Sequence, residues 1–353
     1  MTKSEASLEA AVACPHPADQ NADPPARLIR LLACPSCRVG VEPAGPGGLR
    51  CTRCGTEYVV RDGVPRMLPG ELPEAVAETA DAFGWQWHSF PQQYRAFREE
   101  ALEWFSPITP ADFSGISVLD AGCGKGRHAL LAAELGAAHV VGLDISRAVD
   151  VARGATRESP VIDLVQGDVL TPPLARGAFD LVYSLGVIHH TPEPRAAIQV
   201  LAACVRPGGT LHVWVYGHEG NAFVRRVVDP LRRQLARRVP RKSVRAGTFP
   251  LGVLLTLAAR LSRRLDRVPC VPYRAYFRGL SKYSVGHIWA IVYDQLMAPT
   301  THYIKGHELE EWFRAAGLTD IRIRDSRGMS WTGTGRRPSD RATSGPRGEG
   351  WSV

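Results

Sequence analysis

The sequence predicts an α/β protein: a doubly wound, mostly parallel sheet with a small N-terminal zinc ribbon and a helical cap inserted late in the chain. Three observations carry this. Between residues 116 and 216 short apolar runs alternate with helical stretches, and strands alternating with helices give a parallel sheet covered on both faces. Two C-x2-C pairs stand ahead of that region, and residues 221–300 break its rhythm with basic helices. The chain has 353 residues, 44% hydrophobic and 22% charged, which leaves ample material for a core and excludes a wholly disordered or fibrous protein.

Taken in order, residues 1–26 carry Glu5, Glu9, Asp19 and Asp23 without a basic start or an apolar stretch. They are expected to be a disordered N-terminus rather than a secretory signal, and the protein to be cytoplasmic. Residues 27–70 form the ribbon. Cys34, Cys37, Cys51 and Cys54 make two knuckles separated by thirteen residues, and two thiolate pairs at this spacing suit one structural zinc ion in a tetrahedral shell. Residues 71–110 read as a linker and a helical lid, helical from 74 to 105 and rich in aromatic residues, with Trp87 the best single contact to a ligand below.

The core spans 111–220. Its strands are expected at 116–120, 139–143, 161–166, 179–184 and 210–216, with helices at 128–135, 146–155 and 194–204 between them. Residues 221–300 form the basic cap, in which 222–239 is a helix with Phe223, Val224, Val227, Val228, Leu231 and Leu235 on one face. Residues 301–335 return to the core with a helix at 306–316 and two antiparallel strands, and 336–353 read as a disordered tail. The longest apolar run, 250–261, is interrupted by Thr256 and Arg260, so no membrane-spanning segment is expected.

The first core strand ends at Asp120 and runs into Gly122, Gly124 and Gly126, after which a helix begins. Strand, glycine turn, helix is the setting in which backbone comes close to a ligand. A carboxylate at the strand end would repel a dinucleotide's pyrophosphate but suits a cationic amino group. The stretch VLDAGCGKG (118–126) resembles the first motif of class I S-adenosylmethionine-dependent methyltransferases, and GLDIS (142–146), GDV (167–169), FDLVYSLGVIHHTPEP (179–194) and RPGGTLHVWVYG (206–217) extend the resemblance in the expected order. It implies a Rossmann-like methyltransferase fold that binds S-adenosylmethionine. Asp144 would hold the ribose, Asp168 and Val169 the adenine, Gly122, Gly124 and Asp120 the methionine portion, and Leu185 a wall, with Ile145 a further cofactor-binding residue. The ribbon, with CPSC, CTRC and YVVRDGVPRML, is similar to the zinc-ribbon module of a small activator subunit of tRNA and protein methyltransferases.

Methyl transfer needs alignment more than an elaborate catalytic set. Where a general base helps, His189, His190, Tyr216 and Tyr303 are the candidates at the carboxyl edge of the sheet. Between Arg225 and Arg278 fifteen Lys or Arg face only Asp229 and Asp266. That segment is read either as a solvated face or as a site for an anionic or amphipathic acceptor, with peripheral membrane contact. The expected function is methyl transfer to a small-molecule biosynthetic acceptor. The alternatives are an RNA methyltransferase that grips nucleic acid with ribbon and cap, and a non-catalytic cofactor-binding partner protein.

Overall fold

The computed structural model describes residues 23–92, 97–262 and 274–339. The expected disordered N-terminus up to residue 22, Cys14, Cys270 and the tail beyond 339 lie outside the described residues. A short helix α1 (Ala26–Ile29) leads into the ribbon, a four-stranded antiparallel sheet of β1 (Val41–Pro43), β2 (Gly48–Cys51), β3 (Glu57–Arg61) and β4 (Val64–Pro65). Helix α2 (Glu74–Ser89) follows, and α3 (Phe97–Phe105) is a separate element. The helical pattern expected over 74–105 is thus interrupted: Phe90 leaves the helical region at φ −130° and ψ 60°, in keeping with the bias of a residue before proline, here Pro91, away from that region.

Next come β5 (Ser117–Ala121), α4 (Arg127–Glu134), β6 (His139–Asp144), α5 (Ala148–Thr156), β7 (Ile162–Gln166), β8 (Phe179–Leu185), α6 (Pro194–Cys204) and β9 (Val205–Tyr216). The cap contains α7 (Asp229–Arg238), α8 (Arg241–Ser262), α9 (Arg274–Leu280) and α10 (Val285–Met297), and the chain returns through α11 (Gly306–Ala315), β10 (Thr319–Ser326) and β11 (Ser330–Arg336). The helix expected over 222–239 is divided, with a π-helical turn at Val224–Val228 before α7, because Pro230 has no N–H for the regular ladder. The tail begins later than expected, since Arg337 N–H still donates to Gly209 O at 2.9 Å.

The main sheet has the order β10-β11-β9-β8-β5-β6-β7, with β11 antiparallel to both neighbours. β5 to β8 are apolar and buried along most of their length, as parallel strands covered on both faces must be. One face packs on α3, α4 and α5 through residues such as Phe105, Ala129, Leu131 and Val149. The other packs on α6, α11 and the ribbon. The ribbon shares this core: Leu49, Tyr58, Val60 and Met67 belong to one buried cluster with Val165 and Leu174. Met67 N–H donates to Gln166 O at 2.8 Å, Arg27 pairs with Asp163 at 2.8 Å, and Arg66 pairs with Asp150 at 2.5 Å. The ribbon therefore covers β7, the exposed edge of the sheet.

Helix α8 also revises the membrane expectation: its 22 residues are long and apolar enough to cross a bilayer by length and composition. It is nevertheless packed on α10, with Val244, Thr248, Gly252, Thr256 and Ala259 buried.

Candidate functional site

The strand order reverses beside β5, and in open parallel sheets ligands bind outside the carboxyl ends of the strands at that point. A cavity of about 830 Å³ opens there, roofed by α2 and the cap helices. It lies towards the upper end of the roughly 300–1,000 Å³ typical of small-ligand sites.

The turn after β5 forms its floor. Gly122 adopts φ +91° and Gly124 φ +53°, conformations that a Cβ strains. A Cβ at Gly122 would stand 2.3 Å from Val187 Cγ2, and one at Gly124 would lie 3.2 Å from Trp87 Nε1. Gly122 N–H donates to Leu143 O at 2.7 Å and Gly124 N–H to Asp144 Oδ2 at 2.8 Å, so the turn is tied to the end of β6. Asp144 Oδ1 accepts from Ser146 N–H at 2.8 Å and from its Oγ at 2.6 Å. Burial pushes the Asp144 carboxyl up, against the pull of these hydrogen bonds. Asp168 accepts from Leu170 N–H at 2.9 Å, and burial raises it too.

Gly122, Gly124, Asp144, Ile145, Asp168, Val169, Leu185 and Trp87 all line the cavity. Asp120 does not. Its carboxyl is buried behind the turn, with Oδ2 lacking a hydrogen-bond partner, and burial pushes it up to about 8. The cradle fits S-adenosylmethionine in its donor set: two carboxylates at neighbouring strand ends and a side-chain-free turn where a Cβ would intrude.

Of the expected base candidates, His190, Tyr216 and Tyr303 line the cavity and His189 does not. His189 is fully buried against the Tyr216 ring, 4.1 Å between centroids, and neither ring nitrogen has a hydrogen-bond partner. Burial lowers the pKa of both histidines. His190 Nδ1 donates to Thr300 O at 2.7 Å, which leaves Nε2 as the basic nitrogen of the neutral ring. Tyr303 OH donates to Asp229 Oδ1 at 3.1 Å, and burial pushes its pKa up to about 12. Arg232, expected as part of a basic face, is buried and paired with Asp229.

The sequence reading missed Asp294 of α10. Its Oδ1 accepts from Gln86 Nε2 at 2.9 Å and its Oδ2 from Tyr216 OH at 3.4 Å, while Tyr216 OH accepts from Gln295 Nε2 at 2.9 Å. Asp294 thus joins α2, β9 and the cap at the cavity wall. Of the aromatic residues expected in a lid, Phe83 and Trp87 line the cavity. Trp85 and Phe90 instead pack on Tyr293 of α10.

The four ribbon cysteines converge elsewhere, and no described ribbon residue lines the cavity. All four Sγ atoms lie within 4.8 Å of one another, with Cys34–Cys54 at 3.7 Å, Cys37–Cys51 at 3.3 Å and Cys37–Cys54 at 3.8 Å. A tetrahedral four-thiolate site with Zn–S bonds of ~2.3 Å has S···S edges of ~3.8 Å, so the group fits. Arg38 (φ 61°) and Gly55 (φ 72°), each just after the second cysteine of its pair, turn the chain back at both knuckles. Tyr58 OH, 3.1 Å from Cys34 Sγ, and Thr56 Oγ1, 3.2 Å from Cys54 Sγ, supply the outer hydrogen bonds that orient metal ligands.

Comparison with known proteins places this geometry. Residues 119–213 match the family described as Methyltransferase domain. An uncharacterized protein of Synechococcus sp. is 31% identical over 187 residues, 46% of this chain and 42% of that protein. A ubiquinone biosynthesis O-methyltransferase of Albidiferax ferrireducens is 33% identical over 36% of this chain and 51% of its own length. A tRNA U34 carboxymethyltransferase of Methylococcus capsulatus is 38% identical over 32% of this chain and 36% of its own length. The chain spans about half or less of the length of these relatives. Residues 119–213 thus match a methyltransferase domain, and the mostly parallel seven-stranded sheet that contains them has a Rossmann-like order.

Proposed function

We propose that the protein transfers a methyl group from S-adenosylmethionine to an apolar or amphipathic small-molecule acceptor in a cytoplasmic biosynthetic pathway. One observation carries this reading: a single cavity has a polar floor of glycine turn, Asp144 and Asp168, and a roof of apolar side chains including Val228, Leu231, Leu255 and Ile291 from the cap. S-adenosylmethionine supplies a methyl group that is already electrophilic. Asp144 and Ile145 hold and orient the ribose end, Asp168 and Val169 the base, and Gly122 and Gly124 admit the remainder. Trp87 and the cap exclude water and hold the acceptor in line. His190 Nε2 or the Asp294 carboxylate receives the proton of a hydroxyl acceptor, with Tyr216 positioned by Gln295 and Asp294. The ribbon cysteines hold one structural zinc ion whose four thiolates leave no open position for chemistry.

The test is incubation of the purified chain with isotopically methyl-labelled S-adenosylmethionine and a cell extract, followed by fractionation. Label in an organic-soluble small molecule supports the reading. Label confined to RNA, or no transfer to any fraction, contradicts it.

A further inference from the structure

We propose that the outer face of the cap is a docking surface for an anionic lipid bilayer. All but one of the large exposed apolar side chains among the described residues fall between 223 and 261, the exception being Val59. A concentration of this kind marks an interaction surface rather than ordinary scatter.

The amphipathicity of α8 is inverted. Its inward face, at spacings of four, four, four and three, is Val244, Thr248, Gly252, Thr256 and Ala259. Gly252 sits where a Cβ would come within 3.0 Å of Trp289 Cα, and Thr248 and Thr256 turn their hydroxyls back to carbonyls of their own helix. Its leucines point outward, with Leu254 63%, Leu257 58% and Leu261 56% exposed. A helix serving only the protein core would place them the other way. Leu231 and Leu251 are exposed as well and also line the cavity, so exposed apolar side chains of the cap extend to the cavity wall.

Charge selects the occupant. Arg226, Arg238, Lys242 and Arg260 are exposed around this face. From Arg225 to Arg260 there are ten basic residues and one acid, Asp229, which Arg232 already engages. A second copy would set two arginine-rich rims against each other. Anionic headgroups complement the rim at ~1 kcal/mol per basic residue, and the leucines enter the acyl boundary. Helix α8 lies along the surface rather than through it, because Arg241 pairs with Asp81 at 2.7 Å and Arg245 stacks on Phe90 and Trp289. Lipid docking stands apart from the methyl-transfer reading. Only the corollary, that an apolar acceptor enters from the bilayer, rests on it.

The experiment is co-flotation of the purified full chain with vesicles of phosphatidylcholine alone or mixed with phosphatidylglycerol, without cofactor. The chain should float with the anionic vesicles only, and binding should fall about tenfold or more in L254D/L257D/L261D and in R238E/K242E/R260E. Folding of each variant is read from circular dichroism and cofactor affinity, since none of the six residues lines the cavity. No binding by the wild-type chain, or equal binding by both variants, overturns the proposal. A wild-type dimer in sedimentation that L254D/L257D/L261D dissolves, without vesicle binding, assigns the face to a second copy and overturns it too.

Discussion

The sheet and the cap meet at one cavity and both bury apolar side chains, yet helix α8 of the cap places its leucines unlike the strands. In the sheet half, β5 to β8 enclose valines and leucines and leave polar groups at the strand ends, where Asp144 and Asp168 reach the cavity. In the cap, α8 turns glycine and threonine inward and leucine outward. The sheet half is complete in itself, because its apolar surface is covered by helices on one face and by ribbon and helices on the other. Among the described residues the cap leaves Leu254, Leu257 and Leu261 exposed. The floor of the cavity is proposed for the cofactor and this outer face for a bilayer.

The most drastic way to break this contrast is to strip the zinc ion proposed for the four ribbon cysteines. If ribbon and sheet are one cooperative body, stripping the ion with a chelator should lower the unfolding transition of the whole sheet half, because a structural zinc site contributes an apparent ~10–16 kcal/mol in small isolated modules. A separate low-temperature transition for the ribbon, with the main transition unmoved, would detach it from the sheet. Next in size is Gly122→Ala, where strain and overpacking against Val187 should cost about 2 to 4 kcal/mol and abolish cofactor binding. Thermal denaturation and titration check this, and Val187→Ala in the same chain should recover part of the stability.

A smaller effect belongs to Asp163, where the ribbon docks. Burial pushes its carboxyl up, but hydrogen bonds from His139 and Arg27 outweigh this and leave it below the ordinary value. Its stabilisation is therefore fully present above the unfolded carboxylate pKa of ~3.9 and is lost as pH falls through the lower folded value. Asp163→Asn should cost about 1 to 2 kcal/mol at neutral pH, since Arg27 is partly exposed. It should also flatten the acid limb of a stability profile below that pKa. An unchanged acid limb would show that the ribbon is not held there. Smallest is the effect of L254D/L257D/L261D on cofactor affinity, expected within about twofold of wild type because these residues lie apart from the floor. A large loss by titration would join cap and floor into one unit.

What could be read without coordinates follows the same division. The turn from β5 into α4 is legible because an apolar strand, glycines and a helix stand in immediate succession, and the carboxylates at 144 and 168 close neighbouring strands. Asp294 is not legible. Its partners Tyr216 and Gln86 are 78 and 208 residues away, and nothing within α10 marks it. His189 and His190 are adjacent in sequence, and only tertiary packing decides which ring reaches the cavity. Asp120 has the right position in the motif but sits behind the turn. In the cap, periodicity reveals an apolar stripe but not whether protein or solvent lies beside it.

The central claim is that the floor of the cavity binds S-adenosylmethionine through Asp144. Its most direct test is calorimetric titration of S-adenosylhomocysteine into the wild-type chain and Asp144→Ala. One site per chain is expected in the wild type and at least a roughly hundredfold weaker site in the variant, since two hydrogen bonds to a charged group are worth ~1.5–3 kcal/mol each. A wild-type chain that binds nothing, or a variant with an unchanged dissociation constant, would contradict the claim.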